Sequence, residues 1–119
     1  MKRRLAIPVL DDQLSPYFGA CNHYMIYEAD KGGISRLEIR HPEELSIAEL
    51  PAWVASYEIT DLIANHVDAE IIERFALFKI NLFVGIPVDS PVKILDDWLK
   101  GRLESDQQII KQIALSITK

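Results

Sequence analysis

The sequence predicts an α/β domain with a mixed sheet covered by helices on both faces. Three observations carry this reading. Three strand-like segments come first, between Leu5 and Arg40. Two further strand-like runs follow, each after a helix-like segment, and strands joined through single helices run parallel. Ile80 to Ile86 is nearly continuous in apolar residues, as a strand covered on both faces should be. The chain has 119 residues, 49% hydrophobic and 26% charged, which fits one ordinary globular core without disulfide or metal staples.

Leu5 to Leu10 is a compact apolar run, and Pro8 within it implies a free or bulged side of the strand at that point. Asp11 to Gly19 reads as loop, with Ser15-Pro16 and Gly19 as breakers. His23 to Glu28 resumes a strand, Lys31-Gly32-Gly33 turns the chain, and Ile34 to Arg40 alternates polar with apolar residues. These last two strands read as a hairpin with one wet face. Ser46 and Glu49 have capping-box spacing before a helical stripe of Ile47, Leu50, Trp53, Val54 and Tyr57, within which Pro51 fits a first turn. Ile59 to Ala64 is a short strand. Asp68 is placed to cap a helix over Ala69 to Phe78, with Ile71, Ile72, Phe75 and Ala76 inward. After the fifth strand, Ser90-Pro91 starts a helix with Val92, Leu95, Trp98 and Leu99 as its stripe and Gly101 as its stop. Residues 104–119 form a last helix with Ile109, Ile110, Ile113 and Ile117 on one side, an extension to the domain of residues 1–103.

Charge and cysteine content narrow the function. The net charge of -5 argues against a nucleic-acid partner, which needs a positive field. No apolar run approaches the ~20 residues of a membrane helix, and Asp11 and Asp12 interrupt the opening too early for a secretion signal. The one cysteine permits no intrachain disulfide and leans towards a reducing, cytoplasmic setting.

In such folds ligands meet the carboxyl ends of the parallel strands. Here those ends are Asp11 to Gly19, Asn65 to Asp68, and Pro87 to Pro91. Cys21 and His23, two residues apart on an extended segment, face one side and are both real metal ligands. His66, just after the fourth strand, is the candidate third. The plainer readings stand beside these: Cys21 as a small buried hydrophobe, His23 as a hydrogen-bonded strand residue, His66 as loop surface, Asp68 as a cap, and His41 as structural. No nucleophile constellation assembles. Asp11, Asp12, Asp61 and Asp89 near strand ends leave an acidic-site hydrolase or nuclease as the remote catalytic alternative.

Ala6-Ile7-Pro8-Val9, then Leu14-Ser15-Pro16-Tyr17-Phe18-Gly19-Ala20, then Tyr24-Met25-Ile26-Tyr27-Glu28 resembles the opening of the dinitrogenase iron–molybdenum cofactor biosynthesis family of nitrogen-fixation proteins. The likeness runs over residues 4–103 and ends in Leu99-Lys100-Gly101-Arg102-Leu103. It implies a ribonuclease-H-like three-layer fold with a mixed five-stranded sheet and no nuclease carboxylates. It further implies a carrier or scaffold rather than an enzyme. Two departures bear on ligands. Tyr17 stands where the family commonly has histidine, and phenol is a poorer iron ligand than imidazole. Asn65-His66 stands where paired glycines are common, so His66 is placed to replace the ligand lost at Tyr17.

The expectation is therefore a non-catalytic domain that transiently holds an iron–sulfur or iron–molybdenum-type cluster, or none. The binding residues are Ser15, Tyr17, Phe18, Gly19, Cys21, Asn65 and His66, with Cys21, His23 and His66 as metal ligands. Its partners are a cluster donor or acceptor protein, and a second copy joined through the C-terminal helix. The alternative is a partner-binding or regulatory domain that keeps the fold without the cluster.

Overall fold

The computed structural model describes residues 3–19, 21–30, 33–42, 45–46 and 48–103. The expected C-terminal helix over 104–119, and with them Ala20, Gly32 and Ile47, lie outside the described residues. Strand β1 spans Arg3–Leu10, β2 Gln13–Leu14, β3 His23–Asp30 and β4 Gly33–Arg40. Helix α1 (Leu50–Ala55), β5 (Asp61–Ile63), α2 (Ala69–Leu77), β6 (Asn81–Phe83) and α3 (Pro91–Leu99) follow. The sheet order is β4-β3-β1-β5-β6, with β2 beside β1. β1, β3 and β4 pair antiparallel, whereas β1, β5 and β6 pair parallel. The mixed sheet is as expected, with one strand more.

That extra strand is β2. Val9 pairs with Leu14 and Leu10 with Gln13, leaving Asp11-Asp12 as a two-residue turn. Both aspartates have positive φ, 53° and 63°, as a type I′ hairpin turn requires and as Asp tolerates. Pro8 fits because its carbonyl accepts from Ser15 N at 2.8 Å. In extended chain its nitrogen faces the same way, so the missing donor costs β3 nothing.

Alternation along the strands divides the core in two. Ala6, Tyr24, Ile26, Leu62 and Ala64 meet Leu50 and Val54 of α1 and Ile71 and Phe75 of α2. Leu5, Ile7, Val9, Tyr27, Ala29 and Ile63 meet Ile94 and Trp98 of α3. Helices therefore cover both faces, as the sequence implied.

Several side chains differ from the sequence reading. In α2 Ile71 and Phe75 are buried, but Ala76 is exposed. In α3 the buried line is Pro91, Ile94 and Trp98, so Val92 and Leu99 face out. β6 itself is only three residues long and Asn81 is exposed, but the run from Ile80 to Ile86 is covered on both faces as expected: Ile80, Leu82 and Val84 pack on the α1–α2 side and Phe83 and Ile86 on the α3 side. β4 has side chains exposed on both faces rather than one, since α3's contacts stop at Met25, Tyr27 and Ala29 of β3.

Helix ends follow local chemistry. Ser90 accepts from Lys93 N at 3.3 Å, with Pro91 in the first turn. Gly101, at φ +68°, closes α3: its N–H donates to Trp98 O, and Arg102 N to Asp97 O. α2 ends the same way, through Lys79 N to Ala76 O and Ile80 N to Phe75 O, but with Lys79 in the left-handed position at φ 59°. Ser46 and Glu49 make half of the expected box. The Glu49 carboxylate accepts from Ser46 N at 3.3 Å and Ser46 Oγ at 2.9 Å.

Candidate functional site

After β1 the chain turns towards β3, and after β5 it turns through α2 towards β6, on the opposite side. Adjacent parallel strands whose connections diverge leave a crevice at their carboxyl ends. The loop of residues 15–19 and the turn of residues 65–68 lie at that end of the sheet and touch each other. Phe18 N donates to His66 O at 2.9 Å, which ties the loop to the turn. The Tyr17 ring stacks on His66 with centroids 5.5 Å apart and planes at 28°.

Each residue of the loop has a distinct role. Ser15 is buried, and its Oγ donates to Tyr17 O at 2.6 Å, shaping the turn. Phe18 is also buried, edge-on to Phe75 at 5.4 Å and to Tyr24 at 6.1 Å. Full burial of that ring contributes roughly 2–3 kcal/mol, enough to anchor the loop. Gly19 is exposed at the loop's far end. Anchored on Phe18, the chain holds Tyr17 at the crevice mouth.

The turn of residues 65–68 is fixed from behind. Asn65 Nδ2 donates to Ile86 O at 2.8 Å, and Gly85 N donates to Asn65 O at 2.9 Å. Leu14 N donates to Asp89 O at 2.9 Å, so the loop after β6 supports the same end of the sheet. His66 is exposed, and Val67 beside it is buried. Asp68 occupies the N-cap position of α2 but makes no side-chain cap hydrogen bond. Its carboxylate instead accepts from Tyr17 OH and lies 4.0 Å from His66 Nε2. That hydrogen bond holds the Tyr17 phenol above its ordinary pKa, with burial adding to the effect.

Tyr17, His66 and Asp68 therefore converge. Asp68, expected only as a cap, is the residue that sequence reasoning missed. It lies 51 positions from Tyr17, and no local pattern links the two.

The other proposed ligands have other neighbours. Cys21 is half-buried against the α1–α2 side of the core. Its thiol interacts electrostatically with the buried Tyr24 hydroxyl, without a hydrogen bond of ordinary geometry. Burial pushes the Cys21 thiol up. Burial pushes the Tyr24 phenol up further, and the nearby thiol adds to it. His23 opens β3 beside His41, with ring centroids 5.7 Å apart. Among the described residues no three of His, Cys, Asp and Glu gather closely enough to hold a metal ion. Asp61 is buried at the amino end of β5, bonded to Arg3, Thr60 and Asn81, while Asp11 and Asp12 lie beyond the other end of β1. Among the described residues no helix is long and apolar enough to cross a membrane.

No protein-family model matches the chain. An uncharacterised Methanocaldococcus jannaschii protein, MJ0580, is 25% identical over 111 residues, covering 85% of this chain and 89% of its own length. The crystal structure of PH0822 superposes with a TM-score of 0.79 at 19% identity, covering 87% of this chain and 94% of that one. A candidate dinitrogenase from Methanocaldococcus jannaschii (MJ0327) gives 0.73 at 17% identity, covering 89% and 96%. The apo form of the orange protein from Desulfovibrio gigas gives 0.72 at 15% identity, covering 87% and 92%. The chain thus shares the fold of these solved structures across nearly its whole described length.

Proposed function

We propose that this chain is a non-catalytic carrier domain whose cargo is an iron–sulfur or related metal–sulfur species, held in the crevice between residues 15–19 and 65–68. The observation that carries this reading is the meeting of Tyr17, His66 and Asp68 at the point where the strand connections diverge. His66 offers an imidazole and Asp68 a carboxylate, both exposed and therefore able to hand cargo on. Two such donors leave a metal's other positions to sulfide or to a donor or acceptor protein. The chain's one cysteine, Cys21, supplies its only thiolate, and its burial must relax before it can bind metal. A likeness in fold to a candidate dinitrogenase and to the apo orange protein supports the same class. The reading takes the fold as ribonuclease-H-like, supported by the strand order β4-β3-β1-β5-β6 with helices on both faces.

Anaerobic reconstitution with ferrous iron and sulfide tests it by ultraviolet–visible absorption. Sulfide-to-iron bands are expected in the parent chain, and weaker ones in His66→Ala. Absence of those bands, or spectra unchanged in both Cys21→Ala and His66→Ala, contradicts the proposal. A second reading, a partner-binding domain that holds no cluster, is favoured by the Tyr17–Asp68 hydrogen bond across the crevice mouth. It predicts no bands at all.

A further inference from the structure

β4 is a sheet edge on which the fold leaves apolar side chains bare. Among the described residues, β3 pairs with one side of β4 and no strand pairs with the other. Ile34, Leu37 and Ile39 are 38%, 49% and 52% exposed, and neither core cluster includes them. Arg36, Glu38 and Arg40 alternate in sign on the opposite face. The Glu38 carboxylate lies 2.9 Å from Arg36, 3.1 Å from Arg40 and 3.7 Å from Arg4. Ser35 is the extra residue at a bulge opposite the Glu28–Ala29 step, and beyond it Arg36 to Arg40 is a regular edge run with exposed apolar residues and no proline, a template for another strand.

We infer that the outer edge of β4 pairs antiparallel with β4 of a second copy of this chain, about a two-fold axis at Leu37. Charge selects the occupant, and charge together with strand length selects the register: an axis at Ile39 also sets Glu38 opposite the partner's Arg40, but it carries the pairing past Arg40, where β4 ends. An axis at Leu37 sets Arg36 opposite the partner's Glu38, and Glu38 opposite the partner's Arg36. An axis at Glu38 sets Glu38 against itself and Arg36 against Arg40, which opposes like charges directly. The strand is thus complementary to its own sequence, as a two-fold interface requires. Leu37 meets its counterpart on the other face, and Ile39 extends the apolar stripe on each side. Two sheets become one, and both exposed edges are removed.

Sedimentation of the full chain over a range of concentrations tests this. The parent chain is expected at twice the chain mass, dissociating on dilution. Leu37→Lys and Arg36→Glu, each with an unchanged circular dichroism spectrum, are expected as monomers where the parent is dimeric. In a Cys21→Ala background, Leu37→Cys is expected to form an interchain disulfide on oxidation, whereas Ile39→Cys does not. A parent chain monomeric throughout overturns the inference, as does a dimer that survives both charge variants or crosslinks equally well at both positions. A dimer that survives the β4 variants but is lost in Ile113→Asp assigns the contact to the C-terminal isoleucine stripe instead.

Discussion

Asp68 stands at the start of α2 with its carboxylate turned away from the helix. A cap hydrogen bond at that position contributes about 1 kcal/mol. Asp68 gives it up for the Tyr17 hydroxyl, a bond that solvent screening at this exposed position holds to about the same size, ~1 kcal/mol or less. Local propensity is overridden here at the mouth of the crevice, where such departures are expected to mark function. Cys21 poses the opposite problem, because a thiol held protonated is a poor ligand until something frees it. A raised native pKa favours the folded chain below the ordinary thiol pKa, and that contribution is lost as pH rises through the native value. Alkylation of Cys21 by iodoacetamide is therefore expected to lag behind that of the urea-unfolded chain from about pH 7 to about pH 9, with the rate still climbing at the upper end. Mass spectrometry of timed, quenched samples gives both rates, and equal rates would show a thiol that burial does not restrain.

The helices show which local signals are readable. Ser90-Pro91 and Gly101 bracket α3 in sequence and in structure, because cap chemistry acts within a few residues. Lys79 has no such signal, yet it holds the left-handed position that Gly101 holds in α3. That conformation costs a side chain about 1–2 kcal/mol. Lys79→Gly is therefore expected to stabilise the chain by about 1 kcal/mol, less the added freedom of the unfolded glycine. Urea unfolding monitored by circular dichroism measures it, and an unchanged midpoint contradicts this account of the α2 end. β2 escaped the sequence reading for a related reason. Asp11-Asp12 is a weaker hairpin signal than Asn-Gly, although both aspartates adopt the same positive φ. The stripes of α2 and α3 were read from spacing alone, which leaves their rotation undetermined. Ala76, Val92 and Leu99 consequently lie outside the buried lines.

At the scale of the whole molecule, strand order makes the crevice. The mixed sheet with helices on both faces was legible because periodicity and breaker residues repeat along the chain. The two loops that would meet were legible too, since both follow strands whose direction the helices dictate. The convergence of Tyr17 with Asp68, and the turn of Cys21 towards Tyr24, were not. Those depend on side-chain directions set by the Phe18 anchor and by packing between distant segments. The same topology leaves β4 as an edge beyond the reach of α3, which exposes the stripe argued above to join two copies.

The central claim is that cargo enters between residues 15–19 and 65–68. An amide-resolved NMR spectrum of the full chain, recorded anaerobically while ferrous iron and sulfide are added, tests it directly. The account predicts shifted or broadened signals confined to those two segments and the residues beside them. Perturbations centred on the His23–His41 pair, spread evenly over the surface, or absent while iron is retained would contradict it.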